Sequence, residues 1–169
     1  MEYEFGEIID FRKDPKIEHF ILILGADEKR RKILFEIITS RVYRAFTKLC
    51  YFFNTYCIED KCKNFCHYFK DKDKINPVNL RDVFFLDKNN YLGSLSEDSM
   101  IVINGEPKSE DESVFAQQKK DGLIKRVNKL SKEDMIRLYA HIKTSKHISP
   151  QNLIWIGKSF NLSKKSSLD

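Results

Sequence analysis

Residues able to move a proton or hold a phosphate lie close to the ends of two apolar segments. A histidine opens the first segment, His19–Leu24, and a Thr-Ser pair closes the second, Lys32–Ser40, with two arginines just beyond it. Histidine titrates near neutral pH and can act as a base. Arginine can hold a phosphate through two parallel hydrogen bonds, and a hydroxyl can add one more. The candidate catalytic residues are His19, Thr39, Ser40, Arg41 and Arg44.

Each of these residues also has a plain structural interpretation. A histidine at the start of a strand is commonly hydrogen-bonded or solvated, and Thr-Ser can simply end a strand. Arginines on a surface usually form salt bridges. The residue types alone leave both interpretations open.

Charge is distributed unevenly along the chain, whose formal net charge is +5. Residues 119–147 hold nine Lys and Arg against three Asp and Glu, whereas residues 93–113 hold one Lys against six acids. A basic stretch can bind a polyanion, although it can also be an ordinary solvated face. The candidate polyanion-binding residues are Lys16, Lys119, Lys120, Lys125, Arg126 and Lys129.

The composition is that of a single globular domain. Of the 169 residues, 41% are hydrophobic and 33% are charged, which excludes a disordered chain. No apolar run is long enough to span a bilayer, and the first residues lack the features of a signal peptide. We therefore expect a soluble cytoplasmic protein with no membrane association.

The apolar patterns predict a mixed α+β domain. Strands are expected at Phe5–Phe11, His19–Leu24, Lys32–Ser40, Asp82–Leu86 and Ser99–Ile103, forming a strongly curved antiparallel sheet. A helix is expected from Lys132 to about Lys143, with Ser131 as its N-cap and Leu130 and Met135 as a hydrophobic staple. Its apolar stripe should pack on the sheet through Met135, Leu138, Tyr139 and Ile142.

The middle of the chain contains an aromatic, cysteine-rich segment, residues 43–80, that has helical periodicity. The spacing of Cys57, Cys62 and Cys66 with His67 is a weak zinc pattern, since it lacks the usual C-x2-C spacing. Cysteines on apolar helical stripes are more often small core residues. We expect all four cysteines, including Cys50, to be reduced, with no metal and no cofactor.

The remaining segments give weaker signals. Pro107–Glu112 is expected to be an acidic loop, and Val114–Gly122 is ambiguous. Leu153–Ile156 is expected to be a last strand or an anchoring turn. Residues 1–156 are then a single domain, and Gly157–Asp169, which is rich in Ser and Lys, should be a mobile tail.

The order of several short motifs resembles the MazF/PemK family of ribosome-independent toxin endoribonucleases. The matching pieces cover residues 5–47 and 81–148: Gly6–Phe11 at the first strand, Phe20–Leu24, Ile38-Thr39-Ser40, Leu95-Ser96 with Ser99-Met100-Ile101, and Gly122 with Leu130-Ser131 and the helix that follows. The resemblance implies a small SH3-like barrel with a C-terminal helix. It also implies a homodimer and a cognate antitoxin or other protein partner.

The resemblance further implies metal-independent cleavage of single-stranded RNA, with the candidate residues above forming the site. Two features depart from the family pattern. His19-Phe20 stands where the family carries Arg-Pro, and the segment 43–80 is inserted. The alternatives are a non-catalytic nucleic-acid- or protein-binding module on the same barrel, and a protein-interaction factor that uses the aromatic insertion.

Overall fold

Within the residues that the structure describes, seven strands form one antiparallel sheet at the centre of the fold. The computed structural model describes residues 3–14, 17–39, 83–95, 99–103 and 105–166. The strands are β1 (Glu7–Asp14), β2 (Ile17–Asp27), β3 (Lys32–Thr39), β4 (Val83–Leu86), β5 (Ser99–Val102), β6 (Lys108–Asp111) and β7 (Ile124–Lys129). Their order across the sheet is β4-β5-β3-β2-β1-β7, with β6 also paired to β3. The sheet curls into half of a barrel, so the expected α+β class and curved antiparallel sheet are confirmed.

Three α-helices cover this sheet in the part of the chain that the structure describes. They are α1 (Glu112–Lys120), α2 (Lys132–Thr144) and α3 (Pro150–Ser166), and a short 3₁₀ helix spans Lys88–Tyr91. No helix in these residues is long and apolar enough to cross a membrane.

Strand β2 is apolar along both of its faces because both faces are covered. Ile21 and Ile23 belong to a core with Phe115 of α1, while Leu22 and Leu24 belong to the larger core beneath α2 and α3. A strand that packs against helices on one side only would alternate with polar residues. The continuous apolar run at His19–Leu24 therefore correctly predicted a central strand.

Helix α2 begins as its sequence predicts. The Ser131 hydroxyl accepts a hydrogen bond from the Asp134 amide at 3.1 Å and so caps the helix. Leu130 and Met135 are both buried, as a staple requires. Leu138 and Ile142 are fully buried in the main core, which confirms the expected packing of the apolar stripe on the sheet.

The expected C-terminal tail is wrong, as is the expected strand or turn at Leu153–Ile156. Residues 153–156 and 157–166 belong to α3, whose Trp155, Ile156 and Phe160 enter the main core. Buried serines share that face with the apolar residues: Ser159 lies so close to β2 that a Cβ on Gly25 would be 2.5 Å from its hydroxyl oxygen. Because small polar residues occupy buried positions at this close helix–sheet contact, they interrupt the apolar periodicity by which a helix is predicted from sequence.

The acidic segment Pro107–Glu112 is also not a loop throughout, since Lys108–Asp111 forms β6. Among the described strands this short strand pairs with β3, from Lys32↔Asp111 to Phe35↔Lys108, and its side chains are mostly exposed. An exposed edge strand needs no apolar alternation, so the sequence carried no strand signal here. The ambiguous segment after it is α1, and the strand β7 beyond α1 was not anticipated.

Strand β5 lies between β3 and β4 and pairs with both. Met100 pairs with Thr39 on β3 and with Phe85 on β4. The predicted helical insertion 43–80, and with it all four cysteines, lies outside the described residues.

Candidate nucleic-acid interface and the adjoining cleft

One end of the sheet brings together several of the residues that the sequence singled out. Phe11 of β1 pairs with His19 on β2 and with Ile124 on β7. On the next strand Ile38 pairs with Phe20. His19 and Thr39 therefore lie on adjacent strands at the same end of the sheet, which we call the Thr39 end. Neighbouring strands are about 4.8 Å apart, so the two backbones are close.

Helix α1 carries basic residues to the same end. The helix starts beside the turn between β2 and β3, where the Glu112 amide donates to the Arg31 carbonyl at 2.9 Å. It finishes at Lys119 and Lys120, and β7 then begins next to Phe11. Lys120 and Lys125 are exposed, and within the described residues no ion pair engages either side chain. These two lysines give the Thr39 end a positive charge.

Arg126 and Lys129, by contrast, are bound to acids of the N-terminal segment. Arg126 Nε lies 2.9 Å from Glu7 Oε1, and Lys129 Nζ lies 2.5 Å from Glu4 Oε2. Burial raises the pKa of Glu7, although a hydrogen bond from the Glu4 amide and the Arg126 charge act against the increase. Lys129 pairs with Glu7 at the end of β7 remote from Ile124, so the structure does not bring it to the Thr39 end.

Four of the predicted site residues lie outside the described residues: Lys16, Ser40, Arg41 and Arg44. Thr39 is the last described residue before the two arginines, and Asp14 pairs with Ile17 on either side of Lys16.

A cleft of about 280 Å³ opens beside Thr39, where β5 and β6 separate along one edge of β3. Strand β6 pairs with β3 up to Phe35, and β5 pairs with it from Ile38 onward. Glu36 and Ile37 lie in the gap between these two pairings. We call this the β3 cleft, and it is lined by Glu36, Ile37, Thr39, Val102, Gly105, Glu106 and Lys108.

The two carboxyl groups of the β3 cleft differ in their ionisation. Glu36 is only 7% exposed, and burial raises its pKa to about 7 against the opposing effects of Lys108 and the Ile37 amide. Slight burial acts to raise the pKa of Glu106, but hydrogen bonds from Asn152 and Ser149, both 2.8 Å, lower it. The cleft thus combines a charged carboxylate, a carboxyl poised near neutral pH, a hydroxyl and an ammonium group.

The sequence reasoning overlooked Glu36, although a signal was present. It is the single charged residue inside the apolar run Ile33–Ile38. A charged residue in such a run is rarely buried unless its surroundings support it. Glu106 and Lys108 had no comparable signal, because both lie in a stretch of ordinary surface charge.

A second cavity, of about 310 Å³, lies at the opposite end of the sheet beside Asp27 and Glu112. The Asp27 carboxylate accepts a hydrogen bond from the Arg30 amide at 3.0 Å and stabilises the turn between β2 and β3. Its role is accounted for by the turn. Nowhere in the described ranges do three or more His, Cys, Asp or Glu side chains form a group that could hold a metal ion.

Comparison with protein families and with curated proteins identifies no relative of this chain. No protein-family model matches the chain, and no curated protein matches it significantly.

Proposed function

We propose that the protein binds single-stranded RNA across the Thr39 end of the half-barrel and cleaves it without a metal, as the toxin of a toxin–antitoxin or defence system. One observation carries the proposal: the strand register places His19, Thr39 and the basic end of α1 at the same end of the sheet. An RNA-cleaving site of the expected kind needs a base, a hydroxyl and positive charge close together, and this arrangement supports that requirement.

Each group then has a chemical role. His19 takes the proton from the ribose 2′-hydroxyl, and the Thr39 hydroxyl donates to a phosphate oxygen. Lys120 and Lys125 hold the RNA backbone by displacing its counterions. Ser40, Arg41, Arg44 and Lys16 remain predicted contributors beyond the described residues. A homodimer with an SH3-like barrel, and inhibition by an antitoxin in the cytoplasm, complete the proposal.

Cleavage is tested with mixed-sequence RNA in the presence of EDTA. Wild-type protein should cleave, and His19→Ala should reduce the rate by at least about 100-fold, the usual contribution of a single general base. His147→Ala serves as the matched control, because this exposed histidine lies in the connection between α2 and α3. Cleavage that survives in His19→Ala at equal folded concentration would contradict the assigned base.

Binding is tested separately by the dependence of RNA affinity on salt. The double variant Lys120→Glu/Lys125→Glu should weaken binding and reduce the salt slope by about 2, roughly one for each phosphate that is no longer neutralised. The double variant Lys143→Glu/Lys146→Glu has the same change of charge on the exposed end of α2 and the turn after it. Equal reductions in the two variants would indicate only a general charge effect.

The second candidate function is a binding module without catalysis. It is favoured by His19-Phe20, which occupies the position where the resembled family carries its catalytic arginine. Salt-sensitive RNA binding by a wild-type protein that cleaves none of many RNA sequences would select this alternative.

A further inference from the structure

The β3 cleft is narrow, and an acid lies at its inner end. Glu36 is 7% exposed, whereas Ile37 is 41% exposed and Lys108 is exposed as well, so the carboxyl group lies deeper than these two side chains. The volume of about 280 Å³ is just below the range of pockets for drug-sized ligands, about 300–1,000 Å³. The cleft therefore suits a single flat ring system better than a whole nucleotide.

The Glu36 carboxyl group has spare capacity to accept hydrogen bonds. It accepts from the Ile37 amide, and among the described side chains none donates to it or forms a direct ion pair with it. A carboxylate offers about four acceptor positions. Lys108 lies near enough for its charge to act on Glu36, yet within the same residues its ammonium group has no ion-pair partner. The cleft thus presents an acceptor and a donor that a ligand can use.

We propose that the β3 cleft is a nucleobase pocket that takes guanine from single-stranded RNA, an inference that rests on the function proposed above. Guanine carries two neighbouring donors, N1–H and the N2 amino group, next to the acceptor O6. The Glu36 carboxylate accepts from both donors, and the Lys108 ammonium group donates to O6. Adenine and cytosine have a ring acceptor where guanine has N1–H, and uracil has a carbonyl where guanine has its amino group, so each of them places an acceptor against the carboxylate.

Thr39 connects this pocket to the proposed cleavage site. It lines the cleft, and it lies at the same end of the sheet as His19 on the neighbouring strand. Glu36 and Thr39 are three residues apart, so their side chains leave opposite faces of the strand. The base and the phosphate of a nucleotide lie on opposite sides of its ribose, so Glu36 contacts the base without approaching the phosphate that Thr39 holds.

The experiment measures binding, so that its result does not depend on cleavage. The probes are uridine heptamers with one variable base at the centre: guanine, hypoxanthine, adenine, cytosine or uracil. Every ribose carries a 2′-fluoro group in place of the attacking hydroxyl. Fluorescence anisotropy should show tighter binding of the guanine probe than of the uracil probe by roughly 5- to 150-fold, the discrimination provided by one bidentate pair. Hypoxanthine, which lacks only the N2 amino group of guanine, should bind more weakly than guanine.

Two variants separate the two contacts. Glu36→Gln should remove the preference for guanine over hypoxanthine, because the acceptor of the amino group is lost. Lys108→Met should weaken the guanine and hypoxanthine probes alike, since both bases carry O6, whereas a general charge effect would weaken the uracil probe equally. Lys108 is exposed, so this variant tests the pocket without changing the core. Glu28→Gln, at an exposed position at the opposite end of the sheet, is the matched control for Glu36→Gln, whose folding thermal melting confirms.

The preference for guanine should also increase with pH. Glu36 accepts from both donors only when it is ionised, and burial raises its pKa to about 7. Lys108 from β6 and Glu106 from the connection before it are the charged groups of the cleft, while Val102 of β5 and Leu22, paired with Glu36 from β2, are apolar. The preference of the wild-type protein should therefore rise between about pH 6 and about pH 8 and stay constant in Glu36→Gln.

The outcomes distinguish failure of this inference from failure of the proposed function. Equal affinity of the wild-type protein for all five probes, or a guanine preference that Glu36→Gln retains, would overturn the pocket while leaving RNA binding in place. A guanine preference in a protein that cleaves no RNA would support the pocket and select the binding module. A wild-type protein that binds none of the probes would remove the proposed function and this inference together.

Discussion

The Tyr91 hydroxyl donates a 2.5 Å hydrogen bond to Asp134 Oδ2 and so joins the 3₁₀ helix after β4 to the first turn of α2. Both residues are buried. The other carboxylate oxygen of Asp134 accepts from Arg137 at 2.8 Å. Burial, together with the hydrogen bond to Asp134, raises the pKa of Tyr91, so the phenol stays protonated and remains a donor.

Tyr91→Phe should destabilise the protein by about 1.5–3 kcal/mol, the usual contribution of a hydrogen bond to a charged group. Urea unfolding monitored by circular dichroism measures the change. Tyr139→Phe is the control, since its hydroxyl has no hydrogen-bond partner within the described residues. Equal costs in the two variants would mean that the bond to Asp134 adds nothing to stability.

Gly25→Ala should cost more than Gly93→Ala, although both glycines have positive φ, of 150° and 82°. The conformation alone costs about 1–2 kcal/mol for a residue with a Cβ. At Gly25 the new Cβ would also lie 2.5 Å from Ser159 Oγ, whereas nothing lies within 4 Å at Gly93. Overpacking of this kind adds roughly 1–3 kcal/mol. Similar midpoints of urea unfolding for the two variants would rule out the close contact.

Glu36 should make stability depend on pH. Its pKa is raised from 4.5 to about 7 on folding, so its contribution is full below pH 4.5 and is lost as the pH rises through 7. The difference corresponds to about 3 kcal/mol. Glu36→Gln should therefore become more stable relative to wild type as the pH rises from about 4.5 to about 7, with little further change at higher pH. Parallel pH profiles of the free energy of unfolding for the two proteins would disprove the raised pKa.

Phe115→Ala should be among the most damaging changes in α1, with a cost of about 3–5 kcal/mol. Phe115 is fully buried and packs against Tyr3 and Phe35, with ring centroids 5.4 and 5.8 Å away. Ile136→Ala, at an exposed position of α2, should cost far less. Chemical denaturation measures the free energy of unfolding of both variants. A cost below about 1 kcal/mol for Phe115→Ala would contradict the core that Phe115 forms with Ile21 and Ile23.

The elements that could be predicted are those in which residues of one kind recur at positions that share the same surroundings. Strand β2 is apolar because helices cover both faces, and α2 shows its cap and its stripe in the expected order. Helix α3 was missed because the polar residues Ser159 and Ser163 are buried in it, and the close approach of Ser159 to Gly25 of β2 selects for small size rather than for hydrophobicity. Strand β6 was missed because pairing with an edge of β3 depends on the backbone.

The candidate site stays a prediction. Thr39 closes an apolar run, and the structure places it at the last described position of β3. The β3 cleft depends instead on where β5 and β6 separate along β3, which is a property of long-range register. The partners of Arg126 and Lys129, Glu7 and Glu4, are more than a hundred residues away in the sequence, so no local pattern could have revealed them.

The double pairing of Met100 has a consequence for engineering the chain. Thr39 and Val83, the described residues that flank residues 40–82, both belong to strands that pair with β5. Because both strands are antiparallel to β5, they run parallel to each other, and a chain that joins two parallel strands must cross over through a dozen or more residues. Any exchange or shortening between Thr39 and Val83 therefore has to keep a connection of at least that length if β5 is to hold both flanking strands in register.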